Sequence, residues 1–262
     1  MNKNTLSSFG RRTLLAACIA ASLAGAAYTA TAMAAPRSWG GEQVQGSGKI
    51  VKQTRQVGSF NGLSLAVPGS VELRIGDTEG VTVEADDNLL PLLETVVEGN
   101  TLKIRPARRN LNLQSTSIRV VVQARAIERL ALGGSGNIES DALRGRALEV
   151  DIGGSGSIKL KGVESESLAV SLGGSGDLKA GRGTVGALTV SIGGSGDVDL
   201  GRVAANRASV TVVGSGEATV WPRNELSVTI AGSGDVNYYG DPRVSKSTVG
   251  SGDVKRIGAA PL

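Results

Sequence analysis

Histidine is absent from the 262 residues, and Cys18 is the only cysteine. Without imidazole, Ser-His and Cys-His nucleophilic arrangements are excluded. Zinc, copper or haem sites built on imidazole or thiolate clusters go with them. One thiol cannot make a disulfide framework, so stability rests on packing and hydrogen-bonded ladders. Aromatic residues are only 3% of the chain, which suits a narrow core filled by aliphatic side chains. Beyond the first 34 residues, no apolar run approaches the roughly 18 residues of a membrane span.

Those first residues read as an export leader. Arg11-Arg12 precedes an apolar, small-residue stretch from Thr13 to about Ala30, and Ala32-Met33-Ala34 supplies an A-x-A cleavage site. The pattern predicts a signal peptide over residues 1–34. Gly10-Arg11-Arg12-Thr13-Leu14-Leu15 partly resembles a twin-arginine signal but lacks its usual aromatic and lysine, so the export route stays open. Leu15-Ala16-Ala17-Cys18 looks like a lipobox. The apolar segment before Cys18 is short for one, and the residues after it stay apolar, so lipidation is the minority reading. Cleavage would remove Cys18 along with Lys3, Arg11 and Arg12 and no acids, taking the formal charge from +4 to +1. The basic balance of the full chain therefore argues for neither nucleic acid nor an anionic membrane as partner. Arg105, Arg108 and Arg109 form a small basic cluster, better read as a solvated loop than as a phosphate site.

What is abundant is glycine, at 38 residues, and it is periodic. Gly-Ser-Gly recurs with its serines at Ser135, Ser155, Ser175, Ser195, Ser215, Ser233 and Ser251, at intervals of 20 and then 18 residues. Such a period marks a stacked repeat in which each copy is one rung. Before each corner come two apolar columns: Leu130, Val150, Val170, Val190, Val210 and Val228, then Leu132, Ile152, Leu172, Ile192, Val212 and Ile230. Small or polar residues such as Asp151, Ser171 and Thr211 stand between them. This period-two alternation is that of a half-buried strand. It resumes after the corner with Ile138, Ile158, Leu178, Val198, Ala218, Val236 and Val254. Each rung is expected to be strand, glycine corner, strand and a looser return such as Gly162-Val163. Glycine suits the corner because it adopts positive φ without a Cβ clash and lets corners stack. The corner serine is expected to satisfy local backbone groups. The corners are not phosphate-cradling loops, since a strand rather than a helix follows each one.

Residues 36–125 use the same vocabulary less regularly. Ser59 to Val67 alternates into Pro68-Gly69-Ser70, and Val71 to Ile75 alternates out again. Val81 to Ala85, Thr101 to Ile104 and Ser117 to Gln123 read as further strands, while Asp86-Asp87-Asn88 could cap a helical turn over residues 89–93. This half is expected to start the stack and cover its first edge. The expected layout is signal peptide 1–34, a short linker 35–48 and one domain 49–258. Within that domain, 49–125 is the irregular start and 126–258 the regular rungs.

Phe60 to Leu65, Pro68-Gly69-Ser70-Val71-Glu72-Leu73, Val81 to Leu90 and the Gly-Ser-Gly-Asp rungs occur in that order. Together, from about Lys49 to Val254, they resemble the GIN domain, the adhesin-head domain of bacterial exported proteins. The resemblance implies an all-β fold, a right-handed, three-sided parallel β-solenoid (β-helix) with about 18–20 residues per rung. It brings no catalytic, cofactor-binding or metal residues, and none are assigned. The first corner, Pro68-Gly69-Ser70-Val71, reads as one residue shorter than the others.

The rungs carry no insertion between Gly134 and Gly252. A solenoid enzyme working through carboxylates needs a cleft walled by long loops. The expectation is therefore a non-enzymatic exported protein of the cell envelope, periplasmic, surface-held or secreted, that serves as a structural or adhesion-type binding module. Its expected partners are glycans or envelope proteins rather than nucleic acid, with no cofactor. The alternative is a carbohydrate-active enzyme, a lyase or hydrolase, on the same fold. One column carries a choice: Asp177, Asp197, Glu217, Asp235 and Asp253 follow successive corners. They read either as turn-favouring acids accepting backbone N–H bonds or as a weak calcium ladder, the former preferred. At the C-terminal end, Lys246, Lys255-Arg256 and Asp241-Pro242 look like edge protection. Tyr238 and Tyr239 are expected to cap the core's end or to form a contact surface.

Overall fold

The computed structural model describes residues 42–114 and 117–261. The leader expected over residues 1–34 lies outside them. From Arg129 onward the alternation read from the sequence becomes a parallel β-solenoid; the whole comprises about six turns. Three ladders run along it, each fixed by sequence register. The longest stacks residues 129–134, 147–154, 167–174, 187–194, 207–214, 225–232 and 243–250. The second stacks the segments after the corners, from Asn137–Ser140 through Ser157–Leu160 to Val254–Gly258. The third, 143–145 on 163–165 on 183–185 on 203–205, is where a loose return was expected. The return is a ladder because Leu143, Val163, Val185 and Val203 point inward and are buried. Three short strands per rung thus close around one aliphatic core.

In the core, side chains of the same column sit on one another rung after rung. Leu130, Val150, Val170, Val190, Val210 and Val228 are in direct register and none is more than 2% exposed. Parallel strands cannot slip by one residue here without turning every such side chain to solvent. One position breaks the column: Ser140 lies between Leu73 and Leu160, fully buried, and its hydroxyl has no hydrogen-bond partner among the described residues.

The corners show which glycines the fold requires. The first glycine of each Gly-Ser-Gly has positive φ, from 125° at Gly250 to 158° at Gly154, a region that L side chains avoid. From Gly154 onward a Cβ there would press into the carbonyl oxygen of the equivalent glycine one rung below, as Gly174 would on Gly154. The second glycine is equally close to the rung beneath, Gly156 lying on Gly136. By contrast, a Cβ on Gly153 would meet nothing within 4 Å. That outward position becomes Val213, Ala231 and Val249 in the last rungs. It is the serine's amide that ties the corners together, Ser155 N–H donating to the Gly134 carbonyl at 3.0 Å and Ser195 N–H to Gly174 at 2.9 Å. The first corner matches the rest: Leu65 pairs with Leu132 and Ser70 with Asn137, so four residues lie between in each. The expected shortening does not occur.

The N-terminal half departs from chain order. Gly62–Leu65 is flanked on one side by Arg129–Gly134 and on the other by Thr101–Pro106. Ser70–Ile75 is likewise flanked by Asn137–Ser140 and Arg119–Ala124. The rung made of 101–124 therefore stacks outside the rung made of 62–75, although it follows it in the chain. This outer rung is closed by antiparallel strands. Leu93–Glu98 pairs with Thr101–Pro106, Gly80–Asp86 with Arg119–Ala124, and Ile50–Arg55 with Gly80–Asp86. Leu93–Glu98 stands where the end of the helical turn was expected; only Leu90–Leu92 is helical, a 3-10 turn with no side-chain cap. The acids before it hold another loop instead. Asp86 accepts from Gly48 N–H at 2.7 Å, Asp87 from the Ser47 hydroxyl at 2.6 Å, and Asn88 from Ser47 N–H at 3.0 Å. Glu42–Gln45, within the stretch expected as linker, is a strand parallel to Leu111–Gln114.

At the other end the core columns turn polar. Leu226, Val228 and Ile230 are followed in register by Val244, Lys246 and Thr248 on Arg243–Gly250, a strand exposed along its whole length. Charge at a free edge discourages further strand addition. Tyr238 packs against the core there, the capping role expected of one of the two tyrosines.

Candidate functional site

With the interior filled, chemistry is confined to the outward columns, and each ladder presents a different set. Outside the second ladder runs the acidic column in register: Asn137, Ser157, Asp177, Asp197, Glu217 and Asp235. Two of its carboxylates serve the backbone of the next rung. Asp197 accepts from Glu217 N–H at 3.2 Å and Asp235 from Asp253 N–H at 2.8 Å, while Asn237 donates to Glu217 at 2.6 Å. For Asp197 and Asp235 that is the hydrogen-bonding arrangement preferred above. Among the described residues, no three Asp, Glu, His or Cys side chains are gathered as a metal site.

Beside it, oppositely charged residues pair rung to rung: Lys161 with Asp141 at 2.8 Å, Lys179 with Asp199 at 2.7 Å, and Arg144 with Glu164 at 2.9 Å. These exposed pairs fix little energy each but favour the native register over a one-rung slip. At the N-terminal end, Arg105 binds Glu94 and Glu98. The Glu98 carboxyl is lowered to about 2 by its hydrogen bonds to Arg105 and then Lys103. Arg108 meets Glu42 at 3.5 Å. Two of the three arginines expected in a solvated basic loop are thus ion-paired. The Arg55 guanidinium donates to the carbonyls of Leu90 and Leu93, so it holds the 3-10 turn. Desolvation by burial lowers its pKa.

The long ladder is different. From Ala169 on, its two middle outward columns are uncharged: Ala169 and Ser171, Thr189 and Ser191, Ser209 and Thr211, Ser227 and Thr229, Ser245 and Ser247. At the seam between this face and the return ladder lies a hollow of about 750 Å³. It opens because Gly186 and Ala187 are small while the next rungs carry Arg207, Glu225 and Arg243 in the same register. A second hollow of about 460 Å³ shares Ala187, Arg207, Glu225 and Arg243 and continues onto the hydroxyl-bearing face at Thr189, Ser209 and Ser227. The two make one groove crossing four rungs.

Charge in the groove is unevenly matched. Glu225 pairs with Arg243 at 2.6 Å and Glu166 with Arg146 at 3.2 Å. Arg207 and Arg223 have no carboxylate within ion-pair distance among the described residues. Arg223 is instead stacked over Trp221, 5.7 Å from the ring centroid, a contact that orients the guanidinium. Asn206, Asn224 and Asp241 complete the wall. Of these residues only Asp241 was singled out from the sequence, with Pro242 as edge protection rather than as part of a groove. The available signal was at the rung spacing, where Ala147, Ser167 and Ala187 give way to Arg207, Glu225 and Arg243.

The family model described as "Putative auto-transporter adhesin, head GIN domain" matches residues 59–242. The chain belongs to the GIN head-domain family. No curated protein matches it significantly in sequence. Among solved structures, a "putative lipid binding protein" of Parabacteroides distasonis is 26% identical with a TM-score of 0.70, over 82% of this chain and 100% of its own. A "putative adhesin" of Bacteroides fragilis is 22% identical with a TM-score of 0.76, over 82% and 100%. Another "putative adhesin", of Parabacteroides merdae, is 19% identical with a TM-score of 0.63, over 82% and 99%. The family and these neighbours are described as adhesins or lipid-binding proteins, not enzymes. The GIN domain here has no helix among its described residues long and apolar enough to cross a membrane.

Proposed function

We propose that this GIN-domain protein is a non-enzymatic, exported, adhesion-type binding module of the cell envelope. The observation that carries the reading is the uniformity of its rungs. Corner after corner repeats at 18 or 20 residues, so no long loop rises to wall a catalytic cleft. Residue chemistry agrees: there is no imidazole, and two carboxylates of the acidic column, those of Asp197 and Asp235, accept backbone N–H groups of the next rung. The leader pattern supports export, and the family description supports adhesion. Lipid enclosure, suggested by the description of one neighbour, would need an apolar chamber. The aliphatic columns fill the interior instead, with Leu130, Ile138, Ile158 and Val190 at 0% exposure. Binding is accordingly assigned to the outer faces.

The test is retention. Beads coated with the protein are passed over arrayed glycans and over isolated bacterial envelopes. Beads held on either surface above an albumin-coated control support the adhesion-type reading. Beads that wash off every surface at the control level contradict it.

A further inference from the structure

We propose that the groove at Gly186–Ala187 binds a linear acidic glycan, a uronate-bearing polysaccharide chain, laid along the solenoid axis. This rests on the adhesion-type reading and names the ligand class for it. Shape comes first. The groove runs across rungs rather than along one strand, from Ala187 past Arg207 and Glu225 to Arg243. At about 4.8 Å per rung, that is a trough of about 14 Å, suited to an extended chain rather than a compact small molecule.

Charge decides the ligand's sign. In the column Arg207–Glu225–Arg243 one acid lies between two guanidiniums, and it is committed to Arg243. Arg207 is left over. On the adjacent rung Arg223 is also without a carboxylate, held by the Trp221 ring, which takes no hydrogen bonds from its N–H fork. Two planar guanidiniums with unused donors match carboxylates spaced along a polymer. Holding Arg223 in place beforehand lowers the ordering cost of binding.

The rest of the wall favours a polyhydroxylated ligand over a bare anion. Asp241 is a carboxylate without a cation partner among the described residues; it disfavours any anionic group beside it and accepts hydrogen bonds from hydroxyls, so that part of the wall suits the neutral stretches of a chain whose acids are spaced apart. The Asn206 and Asn224 amides offer both donors and acceptors beside it. Thr189, Ser209, Ser227 and Ser245 extend a hydroxyl row from the floor. Arginines therefore take the acidic substituents, and amides, Asp241 and hydroxyls take the ring hydroxyls.

The probes are hexagalacturonate and its uncharged counterpart maltohexaose, titrated into the protein with tryptophan fluorescence, to which Trp221 contributes, and calorimetry as readouts. The expected result is binding of hexagalacturonate, weakened by salt, with no comparable binding of maltohexaose. The double variant R207A/R223A alters exposed side chains, so its melting should match wild type while affinity falls at least tenfold. Ala187→Tyr fills the trough without removing charge and is expected to block binding as well. Unchanged affinity in both variants overturns the assignment, as does equal binding of maltohexaose or of anionic phospholipid vesicles. If hexagalacturonate is ignored while protein-coated beads still adhere, the groove assignment falls and the adhesion-type reading stands. If shortened oligosaccharides appear, the non-enzymatic reading falls instead.

Discussion

At the scale of single residues, the repeat contains two kinds of glycine that look alike in the sequence. Gly173 and Gly174 are neighbours, yet only Gly174 combines positive φ with a carbonyl oxygen beneath it. Gly174→Ala is expected to destabilise by roughly 3 kcal/mol, combining backbone strain and overpacking. Gly173→Ala is expected to be neutral or to stabilise by about 0.5 kcal/mol, since glycine in a strand carries an entropic cost. Urea denaturation of both variants checks the pair, and equal losses would refute the distinction. The chain has already made the mild substitution itself, at Ala231. Ser140 offers the opposite experiment. Its buried hydroxyl lacks a partner among the described residues, so Ser140→Ala should raise stability by about 1 kcal/mol. A lower melting temperature for this variant would mean that the hydroxyl is satisfied after all.

At the scale of elements, the regular rungs were legible because register, period and burial all repeat. Valine and leucine at the same offset in six successive rungs can point only one way. The N-terminal half was legible as strands but not as an arrangement. Nothing in Gly62–Leu65 or Thr101–Pro106 tells which of them meets Arg129–Gly134, because all three alternate in the same way. The hairpin of Leu93–Glu98 with Thr101–Pro106 is local, but the order is decided with it by Gly80–Asp86 folding back antiparallel on Arg119–Ala124, a long-range pairing. The groove was missed for a related reason. Its arginines are ordinary surface residues until the stacking brings Arg207, Glu225 and Arg243 into one column. Engineered disulfides test the unusual order in a C18S background. Ser64 is in register with both Lys103 and Ala131, so S64C/A131C should oxidise readily, being about 4.8 Å apart. K103C/A131C lies two rungs apart and should stay reduced. The reverse outcome would restore sequential stacking.

At the scale of the whole molecule, the account joins a filled interior to an outer surface on which each ladder has its own chemistry. Neighbouring charges pair on two sides, while the third has uncharged middle columns from Ala169 on and is edged by a groove with guanidiniums to spare. On the reading proposed above, such a surface holds a ligand without transforming it. The most direct measurement is the chain length of a polysaccharide before and after it has been retained by the protein, read by mass spectrometry of the recovered polymer. The account predicts retention with an unchanged length distribution and no new chain ends. Shortened chains, or unsaturated ends left by a lyase, would contradict it.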